Sequence, residues 1–145
     1  MRTFFSPAFV FLLVLVLEAG CANTNPETPS VPHEEPEAIA RTEFTDRVEN
    51  FFEYEPLRAG QSSQVRIHLT NLIDGSPVEN ASVTLTVRRP GGPSPLAQVT
   101  AKVGKVTGIY VADLSIPEAG TYDIEFHIKN STLDERLPLS DFKVE

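Results

Sequence analysis

Hydrophobic and polar residues alternate along most of the chain after residue 47, which is the period-two pattern of β-strands with one buried face. The clearest run is 122–129, in which Tyr122, Ile124, Phe126 and Ile128 alternate with polar residues. Shorter or weaker runs predict six further strands, at residues 48–54, 65–70, 83–88, 96–106, 109–114 and 137–144.

Short segments that combine Gly with Pro or Asp separate these runs, as turns require. They lie at residues 58–61, 74–77, 90–93 and 117–120. No helical stripe interrupts the strands, so residues 41–145 predict an all-β fold: a seven-stranded antiparallel sandwich of immunoglobulin-like size. The Cys pair and Trp of true immunoglobulin domains are missing. Tyr122 is a candidate tyrosine corner, with plain core packing as the alternative.

The N-terminus has the layout of an export signal, predicted over residues 1–20. Arg2 precedes an unbroken apolar run at 8–17. Ten helical residues rise about 15 Å, whereas a bilayer core is about 30 Å thick. The run is therefore too short to be a membrane span and is set apart from the fold.

Small residues directly before Cys21 resemble the lipobox of bacterial lipoproteins, in which this Cys becomes the acylated first residue. Glu18 departs from the pattern, which has an aliphatic residue there. The resemblance implies a lipid anchor at Cys21 on the periplasmic face of the outer membrane, since Ala22 rather than Asp follows. The alternative is an ordinary signal cleavage near Cys21, which predicts a periplasmic or secreted protein.

Residues 21–40 predict a disordered spacer. Four Pro and four Glu occur between residues 22 and 40, without any Lys or Arg. Such a segment buries too little apolar surface to fold, and its prolines and like charges keep it extended. At about 3.1 Å per residue, a polyproline II spacer of this length reaches roughly 60 Å.

The charge balance excludes nucleic acid as a partner. Twelve Lys and Arg against twenty Asp and Glu give a net charge of -8, and the resulting field repels phosphates. A single Cys cannot form an internal disulfide. The fold must therefore depend on its core and its strand ladders.

Several segments resemble the N-terminal β-domain of periplasmic adaptor subunits of heavy-metal RND efflux systems. They are FFEYEPL at 51–57, GQ at 60–61, HLTNL at 68–72, Asp74, PV at 77–78, GIY at 108–110 and PEAGTY at 117–122. The later segments are also similar to YtkA-like and FixH-like periplasmic sandwich modules. A full adaptor adds a helical hairpin, a lipoyl-like domain and a barrel, which 145 residues do not accommodate. The resemblance implies one stand-alone module that binds envelope proteins, including efflux pump components.

No catalytic motif is present: GxSxG, HExxH, P-loop, GxGxxG and CxxC are all missing. The three histidines are dispersed, with His33 in the predicted spacer and His68 and His127 on the polar faces of different strands. We therefore expect no enzymatic activity, no cofactor and no small-molecule substrate.

Metal binding is an alternative because the resembled adaptors serve metal efflux. Cu(I) prefers thiolates and thioethers, yet the only Met is Met1 and the only Cys is Cys21. A Cu(II) or Zn(II) site would need His68, His127 and nearby carboxylates. An immunoglobulin-like strand order places these two strands in opposite sheets, so we expect two separate, solvated histidines rather than a site.

Partner binding is the remaining class, and two loops are candidates. The loop at 71–80 contains Asp74, and the loop at 88–95 begins with the adjacent basic pair Arg88 and Arg89. Ordinary surface turns are the alternative interpretation of both loops.

The sequence thus predicts a non-enzymatic envelope lipoprotein that acts as an accessory module of heavy-metal RND efflux. The alternatives are a periplasmic Cu or Zn carrier and a structural or degenerate adaptor fragment.

Overall fold

Two antiparallel β-sheets face each other in the computed structural model, which describes residues 37–145. Nine strands and no helix occur in this part of the chain. The strands are β1 (Ile39–Phe44), β2 (Val48–Tyr54), β3 (Ser62–Asn71), β4 (Ser82–Arg88), β5 (Pro95–Thr100), β6 (Lys102–Val103), β7 (Ile109–Ser115), β8 (Gly120–Lys129) and β9 (Asp134–Val144).

The first sheet has the strand order β1-β2-β3-β7-β6, and the second sheet has the order β5-β4-β8-β9. Every neighbouring pair is antiparallel. This architecture confirms the predicted all-β sandwich. The predicted export signal, Cys21, His33 and most of the predicted spacer lie outside the described residues. Residues 37–145 include no helix with the length and hydropathy to cross a membrane.

The core is built from the inward positions of both sheets. In β2 the buried residues alternate with half-buried ones along the whole strand, and β8 repeats the pattern from Tyr122 to Ile128. The rings of Phe52 and Phe126 meet between the sheets with centroids 4.8 Å apart. The alternation in the sequence therefore corresponds to real burial on one face of each strand.

The predicted count of seven strands is wrong in two places. β1 precedes the first predicted strand and starts at Ile39, inside the predicted spacer. The run at 96–106 is two strands, because the chain crosses from the second sheet to the first at Ala101. The Ala101 amide still donates to the Val83 carbonyl at 2.8 Å. The alternation continues through this crossing, so the pattern alone does not reveal it.

Two buried tyrosines fasten loops to the core. The Tyr122 hydroxyl donates to the Glu118 carbonyl, four residues upstream, at 2.9 Å, which confirms the tyrosine-corner interpretation. The Tyr110 hydroxyl donates to the Val78 carbonyl at 2.8 Å and accepts from the Ala81 amide at 3.1 Å. The connection between β3 and β4 is thereby held against β7.

Candidate functional site

Four connections gather at one end of the sandwich, which we call the loop end. They are residues 45–47, 72–81, 104–108 and 130–133. The opposite end, called the terminal end, holds the start of β1 and the end of β9. There Ile39 pairs with Tyr54 and the Ala59 amide donates to the Glu145 carbonyl at 2.7 Å. The described chain thus begins and ends far from the loop end.

Hydrogen bonds join the four connections of the loop end to one another or to the strand ends beside them. The bonds are Leu72 N to Arg47 O at 2.9 Å, Leu69 N to Gly108 O at 2.9 Å, Arg47 Nη1 to Thr132 O at 3.0 Å, and Asn130 Nδ2 to Glu79 O at 3.0 Å. Each closes a contact between segments distant in sequence. The loop end is therefore a fixed surface rather than four independent loops.

A glycine allows two of these connections to pack closely. Gly108 has φ of 79°, a left-handed conformation that favours glycine. A Cβ at this position would lie 2.5 Å from the Pro77 Cβ. Any other residue would separate the 104–108 turn from the 72–81 connection.

Three large apolar side chains are exposed on these two connections, and we call them the apolar loop cluster. Ile73 is 71% exposed, Val106 is 61% exposed and Leu72 is 43% exposed. The polar and charged residues Arg47, Asp74, Glu79 and Lys105 lie on the same end. Exposed apolar side chains on the same end as charged residues of both signs are typical of a protein interaction surface.

Asp74, predicted as a partner-binding candidate, shapes its own turn. Its Oδ1 accepts hydrogen bonds from the Ser76 amide at 3.0 Å and from the Ser76 hydroxyl at 2.6 Å. These bonds lower the pKa of the Asp74 carboxyl. The Asn71 Oδ1 accepts from the Ile73 amide at 3.0 Å, so two side chains fix the turn that displays Ile73.

The structure places Arg88 and Arg89 at the terminal end, away from Asp74. Arg89 donates to Glu118 Oε2 at 2.7 Å, and Arg88 Nη1 lies 4.0 Å from Glu125 Oε1. Both guanidinium groups therefore face a carboxylate of the same chain. The three predicted partner-binding residues do not form one surface.

His127 and His68 lie in opposite sheets, as expected. His127 Nε2 is 2.7 Å from Asp134 Oδ1, and Lys129 Nζ is 2.9 Å from Asp134 Oδ2. Hydrogen bonds from Lys129 and then His127 lower the pKa of Asp134 to about 2. His127 is thus hydrogen-bonded at the surface to Asp134, which also forms an ion pair with Lys129.

His68 does not fit the expectation of a solvated side chain. Its ring packs edge-to-face against Phe51 with centroids 5.2 Å apart, and its Nε2 is buried without a hydrogen-bond partner. The expectation of a solvated side chain is wrong for His68, because its ring packs against its cross-strand neighbour Phe51 and its Nε2 is buried. Within residues 37–145, no three His, Cys, Asp or Glu side chains converge as a metal site requires.

Sequence reasoning did not single out the apolar loop cluster. Leu72 and Ile73 form an apolar pair inside a turn segment, and this signal was available. Val106 is distant from them in the sequence and lies at the same end of the sandwich only because of the fold.

The sequence pattern also did not identify Asn50, which lies at an inward position of β2 and is fully buried. Neither polar atom of its side chain has a hydrogen-bond partner.

A comparison with family models gives one match, to the family described as YtkA-like, over residues 43–127. The matched segment covers more than half of the chain. It contains β2 to β7 and most of β8, and it includes the whole apolar loop cluster. No curated protein and no solved structure gives a significant match.

Proposed function

The chain belongs to the YtkA-like family, and from that premise we propose that it is a non-enzymatic binding module of the bacterial cell envelope. The observation that carries the proposal is the apolar loop cluster, Leu72, Ile73 and Val106, exposed on a fixed surface. Complete burial of one aliphatic side chain contributes about 1.5–3 kcal/mol. Three partly exposed ones can therefore support a reversible contact with a protein partner.

The position of the cluster fits a tethered module. Residues before Ile39 join the domain at the terminal end, so a tether through Cys21 would attach at the end opposite the apolar loop cluster. The proposed partner is another envelope protein that approaches this end. Charged residues of both signs at this end favour a protein surface over a uniformly anionic one.

We further propose that the partner belongs to a heavy-metal RND efflux assembly. The support is the resemblance of FFEYEPL at 51–57 and HLTNL at 68–72 to the adaptor domain. The second of these segments ends at Leu72, in the apolar loop cluster. The resemblance and the exposed surface thus coincide in one part of the fold.

A photo-crosslinking amino acid placed at Ile73 is expected to capture RND or adaptor proteins in intact cells. The same group at Ala119, exposed at the terminal end, is the control and is expected to capture far less. In the double variant Ile73→Ser/Val106→Ser, with a crosslinking group at Ser131 of the loop end, capture is expected to fall by about tenfold or more. Val103→Ser, an exposed residue of β6, is the matched control.

Capture of cell-wall enzymes alone, or of nothing above background, would contradict the efflux assignment. Equal capture from Ile73 and Ala119 would contradict the loop end as the binding surface. The first outcome tests the identity of the partner, and the second tests the location of the binding surface.

The proposed anchor is a lipid on Cys21. Metabolic labelling with a fatty acid is expected to mark the natural chain and to leave Cys21→Ser unlabelled, because this is the only thiol available for thioether acylation. The variant is also expected to leave the membrane fraction. Equal labelling of both chains, or labelling of neither, would show that Cys21 carries no lipid.

A further inference from the structure

The four sheet edges differ in how they discourage pairing with another strand. β9 contains Pro138 and a register shift against β8, near Asp141 with φ of 68°. β5 begins at Pro95, and β6 has only two residues. Proline, bulges and short length are the usual protections of an edge. Three of the four edges therefore carry one.

β1 has none of these protections. It pairs with β2 over six residues without a register shift, contains neither Pro nor Gly, and no other strand of the described residues pairs with its outer side. Two of its residues are exposed apolar ones, Ile39 at 41% and Phe44 at 59%. A regular edge with exposed apolar residues is a template for strand addition.

Two charges make this edge selective. Arg41 is paired with buried Phe52 in the β-ladder, so it and Glu43 point towards the inner face of the first sheet. The Arg41 guanidinium stacks over the Phe142 ring at 5.1 Å and bonds Glu43 at 2.8 Å. Inward charges on an edge repel an apolar strand. The edge therefore favours a partner strand that places an acidic residue opposite Arg41 and a basic residue opposite Glu43.

An antiparallel copy of β1 offers that order. We propose that β1 is a dimer interface, in which it pairs with β1 of a second copy about a two-fold axis at Thr42. Arg41 then lies opposite Glu43 of the second copy, twice by symmetry. Thr42 meets its own equivalent, a favourable cross-strand pair. Ala40 lies opposite Phe44 of the second copy, which covers part of that exposed ring.

The neighbouring symmetric registers are unfavourable. When the two-fold axis is perpendicular to the sheet, the inner faces of both copies lie on the same side of the joined sheet. Residues opposite each other then both point inward or both point outward, so the axis must pass through a residue and not between two residues. Centring on Arg41 opposes two arginines, and centring on Glu43 opposes two glutamates. Like charges directly opposite each other are destabilising. The sequence ARTEF thus specifies one register.

The dimer joins two five-stranded sheets into one of ten strands. Its interface is one short strand per copy, far below the roughly 1,600 Å² of a standard complex. The association is therefore weak and favoured by the high local concentration of a tethered protein. It uses a different surface from the apolar loop cluster.

Cysteine crosslinking of the full chain in its native envelope tests the register. Thr42→Cys is expected to form a covalent dimer on mild oxidation, because opposite Cβ atoms are about 4.5–5.5 Å apart and a disulfide needs little approach. The natural chain, whose only Cys is Cys21, is the control. Ala40→Cys and Phe44→Cys expressed together are expected to crosslink to each other. A dimer yield from Thr42→Cys no greater than from Ser131→Cys would overturn the proposal.

Charge reversal tests the complementarity in the Thr42→Cys background. Arg41→Glu alone and Glu43→Arg alone are each expected to lower the crosslinked fraction by about tenfold, since each puts two like-charged pairs across the axis. The double reversal restores both pairs and is expected to restore crosslinking. A double variant no better than the singles would overturn the proposal. Ile73→Ser is expected to leave the crosslink unchanged, so failure here is distinguishable from failure of the proposed function.

Discussion

Replacing Phe126 by alanine is expected to lower the free energy of unfolding by about 3–5 kcal/mol. Phe126 is fully buried in the middle of β8, and its ring meets Phe52 of the other sheet. The substitution removes one of the ring contacts that join the two sheets and leaves a cavity that rigid strands cannot close. Since a domain of this size has a total stability of about 5–15 kcal/mol, much of it depends on this ring.

Urea unfolding of a fragment that begins at Glu37 measures this loss. A start at residue 41, where the sequence predicts the domain to begin, would remove Ile39 and Ala40 from β1. Phe44→Ala is the matched control, because the same atoms are removed from a ring that is 59% exposed. Its expected effect is within about 0.5 kcal/mol. Equal losses in the two variants would show that Phe126 is not an interior residue.

The strands were predictable from the sequence where one face of the strand is buried in the core and the other face is exposed. Ile67 and Phe126 lie in central strands, each with one face in the core, so the sequence must alternate there. β1 gives no such signal, because an edge strand with inward charges is exposed on most positions. The change of sheet at Ala101 gives none either, since the residues on both sides continue the same alternation.

The surface was less predictable than the core. The turn chemistry around Asp74 is readable in the sequence, and the structure confirms a turn there. The 104–108 turn packs against the 72–81 connection because β7 pairs with β3. This pairing joins residues that are far apart in the sequence, so a local pattern does not reveal it. Residue pattern predicts strands and turns, whereas topology decides which turns share an end.

Asn50→Leu is expected to raise the free energy of unfolding by about 1–3 kcal/mol. Asn50 occupies an inward position between Val48 and Phe52 and is fully buried. Its Oδ1 and Nδ2 have no hydrogen-bond partner in the described residues. A buried polar group without a partner retains its desolvation cost, and leucine removes that cost with a side chain of similar shape.

The same substitution at Asn130 is expected to have the opposite sign. Asn130 Oδ1 accepts from the Thr132 amide, the Thr132 hydroxyl and the Leu133 amide, so Asn130→Leu is expected to cost about 1–2 kcal/mol. Both variants are compared by urea unfolding of the fragment from Glu37. A loss of stability in Asn50→Leu and in the smaller Asn50→Val alike would show that the buried amide is hydrogen-bonded in solution. Opposite signs at the two positions are the expected result, because the Asn50 amide is buried without partners and the Asn130 amide accepts three hydrogen bonds.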